Sequence, residues 1–381
     1  MNKIQKLWHK LFPKPAQPLP AGTYSYQAPP DAQVPYRMFL RIEKDGQGIM
    51  ILNASTVLHL NQTATEFAYH LIQGKDNVQI VDAITERYDV AREVLMRDVQ
   101  LFIDQILYLG RQNDLSPAAT IGFESHVFDK NLTAPLRIDC CLTYRGFTDS
   151  GDHLLTADEL TTEDWKTVLT RLFNAGIPHV VFFGGEPSLR ADLVELMTFT
   201  EQLGLVSGLV SSDPNLKIPA NLLPLIDAGL DHLTYSLDPS TSENLEGLSN
   251  ILDQDLFTCL RLPIHSDRDY HDLIRELKDL GANAFNLLPE DAYAHARTNQ
   301  LQHDLSKSGA LFVDDTPLTY HPQAADLLFS VWDPDSQPSQ HFVIQPDGSL
   351  ANHAGSQANY GNLVREEWPI VWSRVLAGGE A

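Results

Sequence analysis

From Pro135 onward the sequence alternates short, nearly all-apolar runs with longer amphipathic stretches, and this alternation limits the fold more than any other feature. The apolar runs fall at 135–143, 178–184, 205–211, 231–237, 257–264 and 283–288. Helical spacing fills the intervals 161–175, 190–203, 219–229, 241–255 and 268–281. A run such as His179-Val180-Val181-Phe182-Phe183 lacks polar alternation, as does Phe257-Thr258-Cys259-Leu260-Arg261-Leu262 for most of its length. Strands of that kind are covered on both faces, which is the condition of parallel strands joined by crossover helices. Repeated βα units predict an α/β fold, a (β/α)6 partial barrel over 135–339. Residues 290–339, rich in Asp, Gln and Pro, read as irregular.

The texture before Pro135 differs. Residues 1–35 read as an amphipathic segment followed by a Pro-rich linker, since Pro13, Pro15, Pro18, Pro20, Pro29 and Pro30 disfavour helix and sheet interiors. Arg37–Glu43 and Gly48–Asn53 alternate apolar and polar residues around Lys44-Asp45-Gly46, a hairpin signature, and Thr56–Leu60 reads as a third strand. Three helices follow, punctuated by Gly74 and by Asp76-Asn77; the third carries Val94, Leu95, Val99, Phe102, Ile103 and Ile106. Block 36–110 is therefore a small α+β domain, 111–134 a second linker, and 340–381 a small α+β extension. That extension has a hairpin at Pro346-Asp347-Gly348 and a helix near Glu366–Leu376.

Composition narrows the partners. A formal charge of −23 on 381 residues repels polyanions, so nucleic acid is excluded as a partner. No apolar run approaches the roughly 20 residues needed to span a bilayer. The three cysteines, Cys140, Cys141 and Cys259, make no disulfide framework, as expected of a reduced cytoplasmic protein. At the N-terminus Ile4, Leu7, Trp8, Leu11 and Phe12 share one helical face among Lys3, Lys6, Lys10 and Lys14. The segment suits a membrane surface, although docking on its own protein or a mobile tail is the preferred reading.

Two places carry chemistry. Gly184-Gly185-Glu186-Pro187 follows the second barrel strand; paired glycines admit close backbone approach, and a strand-end carboxylate faces the mouth of a barrel. Together with 160–184, this turn resembles the GGEP turn of radical-SAM enzymes. After the first strand, Leu142-Thr143-Tyr144-Arg145 is similar to that family's lead-in to a CxxxCxxC motif, whose three thiolates hold a [4Fe–4S] cluster. Here the three positions are Gly146, Ser150 and His153. Glycine offers no ligand atom and serine is a poor iron ligand, so no iron–sulfur cluster is expected. Cys140 and Cys141 are adjacent on a strand and face opposite sides, so they read as buried structural residues, as does Cys259. The Asp149, Asp152 and His153 group reads as solvated loop rather than as a metal site.

The resemblance extends in both directions. Phe342–Gly348, Tyr360–Leu363 and Trp368–Trp372 are similar to the accessory-cluster extension of peptide-modifying radical-SAM enzymes, again without cysteines. Leu58–Glu66, Gly74–Asp76, Ile80–Ile84 and Tyr88–Val90 resemble the PqqD-like, winged-helix-like leader-recognition domain of peptide maturation systems. That resemblance implies a leader-type peptide added as a strand beside Thr56, Val57, Leu58, His59 and Leu60, with the third helix as the other wall. For S-adenosylmethionine it implies a site at Gly184, Gly185 and Glu186, with Ser211, Ser212, Ser236, Asp238 and Arg261 at the following strand ends. The ligand count leads us to expect a pseudoenzyme that binds a peptide or partners an active maturase. Two alternatives stand beside it: a radical enzyme with atypical cluster ligation, and a refitted non-radical enzyme using Glu186, His153, Asp149 and Asp238 for acid–base work.

Overall fold

The computed structural model describes residues 19–29, 37–53, 56–111, 133–146, 159–237, 245–290, 293–308, 311–312, 328–331, 342–352 and 359–378. The N-terminal amphipathic residues Ile4 to Phe12, most of 111–134, and Asp149, Ser150, Asp152, His153 and Asp238 lie outside them.

An antiparallel four-stranded sheet opens the fold, in the order β1 (Gly22–Gln27), β2 (Arg37–Ile42), β3 (Gly48–Leu52), β4 (Thr56–Leu60). Strand β1 corrects the reading of 13–36 as linker throughout. Gly22 to Gln27 carry no proline and pair residue for residue with Ile42 to Arg37. Three helices cover one face: α1 (Gln62–Ile72), α2 (Asn77–Arg87) and α3 (Arg92–Arg111). Their starts are chemically fixed, α1 by the Asn61 side chain accepting from Ala64 N and α2 by a reciprocal capping box of Asp76 with Gln79. Met38, Leu40, Ile42, Met50, Leu52, Leu58 and Leu60 point into that helical layer.

The opposite face of the same sheet docks on the second unit. Phe39 and Ile51 belong to the larger core, and Phe39 meets Phe173 edge to face at 6.1 Å. In β2, therefore, even-numbered residues face the helices and odd-numbered ones face the second unit, which accounts for a strand buried on both sides. Two of the odd residues are arginines. Arg37 pairs with Glu201 (2.8 Å) and Asp231 (2.5 Å), while buried Arg41 pairs with Glu43 (2.8 Å) and donates to Gly176 O (2.9 Å).

The second unit is an open ten-stranded sheet. Its centre is six parallel strands in sequential order: β5 (Arg137–Cys141), β6 (His179–Phe183), β7 (Val206–Ser211), β8 (His232–Ser236), β9 (Phe257–Ile264) and β10 (Ala284–Pro289). Crossover helices α4 (Thr162–Ala175), α5 (Leu193–Leu203), α6 (Pro219–Asp227), α7 (Ser249–Leu252) and α8 (His271–Asp279) connect them, as the partial-barrel reading requires. The stretch read as irregular holds helix α9 (Ala294–Lys307) and strands β11 (Leu311–Phe312) and β12 (Leu328–Val331), which extend the sheet beside β10. The apolar signal of α9 is thin, with Ala294, Thr298 and Leu301 as its buried stripe. At the other edge β13 (Val343–Ile344) runs parallel to β5, and its hairpin partner β14 (Leu350–Ala351) ends the sheet. Helix α10 (Trp368–Ala377) follows, and Arg171 of α4 holds the loop before it through the Leu363 and Glu366 carbonyls, each at 2.7 Å.

Along β5–β10 the residues facing the helices are apolar: Ile138, Val180, Phe182, Leu209, Leu233, Leu260, Leu262 and Phe285 belong to the main core. Alternate residues line the opposite face, where Val181, Phe183, Gly208, Val210 and Cys259 are interspersed with a set of polar side chains. That set is Arg137 and Asp139, His179, His232, Thr234 and Ser236, Arg261 and Asn286.

Candidate functional site

The site sits at the carboxyl ends of β5–β9, where parallel-sheet proteins place their ligands. Its base is a pair of loops zipped together by backbone. Gly185 N donates to Thr143 O at 2.9 Å and Glu186 N to Arg145 O at 2.8 Å. The zip needs glycine at position 184, where φ is +150° and an added Cβ would lie 2.5 Å from Thr143 O. From the first loop, Thr143 Oγ1 and Tyr144 N both donate to Glu159 Oε1, at 2.7 and 2.9 Å. Buried Arg190 ties the base from below, donating to Leu142 O and Leu160 O at 3.1 and 3.2 Å and pairing with Asp192 at 2.7 Å.

The carboxylate at the end of this turn is held by donors. Glu186 Oε1 accepts from Ser211 Oγ (2.7 Å) and Ser188 N (3.2 Å), and Oε2 accepts from Ser212 N (2.8 Å) and Ser212 Oγ (3.2 Å). Asp213 orders the same shelf, accepting from Ser188 Oγ at 2.8 Å while its backbone N donates to Ser211 Oγ at 3.1 Å. Burial, with Asp213 and Glu186 nearby, pushes the Tyr235 hydroxyl up to about 12, so it stays protonated beneath the shelf. Gly184, Gly185, Glu186, Ser211 and Ser212 thus lie together at this end of the sheet.

Ser236 and Arg261 occupy the next part of the rim. They are register partners across β8 and β9, and Asn286 of β10 continues the row. Asp238 lies outside the described residues. Sequence reasoning gave no role to Glu159, Arg190, Asp213 or Asn286. The Arg190-x-Asp192 spacing just after the GGEP turn was the available signal for one of them; the others are polar residues that become site residues only through pairing between strands.

Cys140 and Cys141 are fully buried, and Cys259 is partly so. Cys140 faces the helical core and Cys141 the opposite side, and burial raises both thiols, Cys141 to about 12 beside Glu159. Among the described residues no group of three or more His, Cys, Asp or Glu is placed to hold a metal.

At the other candidate site, β4 is the terminal strand of the four-stranded sheet and pairs with β3 in the register Thr56↔Leu52 to Leu60↔Gly48. Leu58 and Leu60 are anchored in the helical core, Val57 packs toward the second unit, and Thr56 and His59 are half-buried. Helix α3 leaves Val94, Leu101 and Tyr108 exposed at intervals of seven residues. No helix among the described residues is long and apolar enough to cross a membrane.

Residues 48–110 match the family model for coenzyme PQQ synthesis protein D (PqqD). Among curated proteins, PqqA peptide cyclase of Methylorubrum populi is 41% identical over 95 residues, which is 24% of each chain. PqqA peptide cyclase of Rhizobium meliloti is 38% identical over 89 residues, 23% of this chain and 24% of its own. The matched stretch thus spans about a quarter of these relatives' length. Among solved structures, Streptococcus suis SuiB bound to precursor peptide SuiA superposes with a TM-score of 0.56 at 13% identity, covering 90% of this chain and 88% of that one. SuiB bound to S-adenosylmethionine gives 0.54 at 14% identity over the same shares. The fold is therefore that of SuiB, with a PqqD domain at the N-terminal end, and the resemblance to radical-SAM peptide-modifying proteins holds.

These findings correct the pseudoenzyme expectation. The named relatives are cyclases, which points to an enzyme. The ligand count that suggested otherwise concerns one way of holding one cofactor; it does not measure what the polar rim of β6–β9 can do.

Proposed function

We propose that this chain is a peptide-modifying enzyme that engages a leader-type peptide at β4 of its PqqD domain and binds S-adenosylmethionine at the Glu186 shelf. The observation that carries the reading is the Glu186 carboxylate itself. It is fixed at the mouth of the sheet by short bonds from Ser211 Oγ and Ser212 N, and the two longer bonds, from Ser188 N and Ser212 Oγ at 3.2 Å each, are the ones a cationic amine would displace. The bound cofactor would supply a sulfonium centre with weakened carbon–sulfur bonds. Glu186 would hold its amine and Arg261 its carboxylate, while Ser236 offers a hydroxyl between those charges.

A cysteine ligand for a [4Fe–4S] cluster does not fit at position 146. At position 146 φ is +99°, and a Cβ there would sit 2.9 Å from Glu186 N and 3.0 Å from Gly185 C. A cysteine would have to break the zip that holds Glu186. On this reading the polar rim, rather than such a cluster, is where the reaction takes place. Anaerobic reconstitution with iron and sulfide tests this part: stoichiometric uptake with release of 5′-deoxyadenosine would favour a radical enzyme with atypical ligation instead.

For the peptide, support comes from the matched PqqD domain and from a terminal strand in the position β-augmentation requires. Val57→Pro removes a backbone donor from β4 and should abolish capture of a leader-type peptide encoded beside this chain. A thermal melt of the same variant separates that loss from unfolding, and unchanged affinity would count against the strand.

A further inference from the structure

We infer that the amphipathic N-terminal segment, Ile4 to Phe12, docks on an exposed flank of helix α3 in the PqqD domain of its own chain. The inference is independent of the S-adenosylmethionine reading. Helix α3 buries Leu95, Val99, Phe102, Ile106 and Leu109 in the helical core. On its flank Val94, Leu101 and Tyr108 stay 48%, 55% and 47% exposed. Residues seven apart on an α-helix drift by only about 20°, so these three make one stripe. At 1.5 Å per residue the stripe is about 21 Å long. Exposed Asp98 and Asp104 border it on either side, with Arg97 as the cation beside it. A helix has no open backbone edge, so the stripe suits another apolar helix face and not an added strand.

Pattern, charge and position select the occupant. Ile4, Leu7, Trp8, Leu11 and Phe12 recur at i, i+3, i+4, i+7 and i+8, the spacing of one helical face. Residues 1–18 hold Lys3, Lys6, Lys10 and Lys14 and no acid, in a chain whose formal charge is −23. The segment therefore meets a body more acidic than the whole chain, and the two attract. Leu19, seven residues after Phe12, is 7% exposed and lies in the same core as Leu95 and Phe102. Seven residues reach at most about 25 Å. The tether thus keeps the segment near α3 at a high effective concentration, whereas a short helix without a lipid anchor binds a bilayer weakly.

The test uses the full-length protein carrying Leu7→Cys and Leu101→Cys, oxidised with copper phenanthroline, with disulfides located by peptide mass mapping. Native Cys140 and Cys141 are buried and Cys259 is partly so, and the single variants give the background. The expected product joins positions 7 and 101 within one chain. Adding Trp8→Asp and Leu11→Asp breaks the apolar face but keeps the tether, and should slow that product about tenfold or more. An unchanged rate would show a tail that meets the stripe only by chance, and a disulfide between chains would give the stripe to a second copy; either overturns the inference. Co-sedimentation of wild type with vesicles of phosphatidylserine and phosphatidylcholine overturns it too, by giving the segment to a membrane. Tyr108 supplies a reading without added cysteines: tetranitromethane should nitrate it several-fold faster in the Trp8→Asp, Leu11→Asp protein than in wild type, and equal rates would count against docking.

Discussion

At the scale of single residues, the site depends on two glycines and one carboxylate. Gly184 admits Thr143 O to within van der Waals contact, and Gly146 lies against the Glu186 backbone. Both occupy positive φ, +150° and +99°, where any side chain is strained. Gly146→Cys, which restores the first residue of the family's cysteine motif, should lower the unfolding free energy by about 1–3 kcal/mol. Urea denaturation measures it, and an unchanged midpoint would contradict the packing described. Glu186→Gln keeps the size of the side chain but removes its charge, so S-adenosylmethionine affinity should fall roughly tenfold or more; equal affinity would remove Glu186 from the site. The turn was legible in the sequence through its resemblance to a GGEP turn, since paired glycines before a carboxylate can by themselves make a plain tight corner. Asn286 was not legible, since an asparagine in an apolar run gains meaning only from Arg261 and Ser330 on neighbouring strands.

At the scale of elements, the six parallel strands were legible from their apolar runs, and their order in the sheet followed from their order in the chain. Strand β1 and helix α9 were missed for opposite reasons. Prolines on both sides of Gly22–Gln27 hid a strand that is stabilised by pairing with β2, and α9 buries too few apolar residues to stand out. The docking of the two units was hidden too, because Arg37 and Arg41 look like the solvent face of a hairpin. In the fold Arg41 is 2% exposed, donates to Gly176 O across the junction and pairs with Glu43 of its own unit. Arg41→Met should therefore cost about 3–5 kcal/mol, since Glu43 is left as a partly buried charge without its partner. Limited proteolysis should then cut between the units of a protein whose wild type resists it; equal resistance would mean that the junction is held elsewhere.

At the scale of the whole molecule, two buried histidines couple folding to pH. Burial holds His232 down to about 3, with Arg137 adding to the shift and Asp139 opposing it, while its ring meets His179 at 2.8 Å. Burial and the Lys75 ammonium hold His70 down to about 4. Both are neutral when folded and take up protons when unfolded below about pH 6.5. Stability is therefore fully present above that value and is lost as pH falls, at about 1.4 kcal/mol per unit for each histidine. His70→Gln should reduce the slope of unfolding free energy between pH 6 and 4 by about that amount, and a slope equal to wild type would show that His70 titrates normally.

On the proposal made here, the Glu186 shelf holds S-adenosylmethionine without help from an iron–sulfur cluster. The direct measurement is calorimetric titration of S-adenosylmethionine into full-length protein stripped of iron by a chelator. The expected result is saturable one-to-one binding that Glu186→Gln weakens. Binding that appears only after iron and sulfide are restored, or no binding in either state, would contradict it.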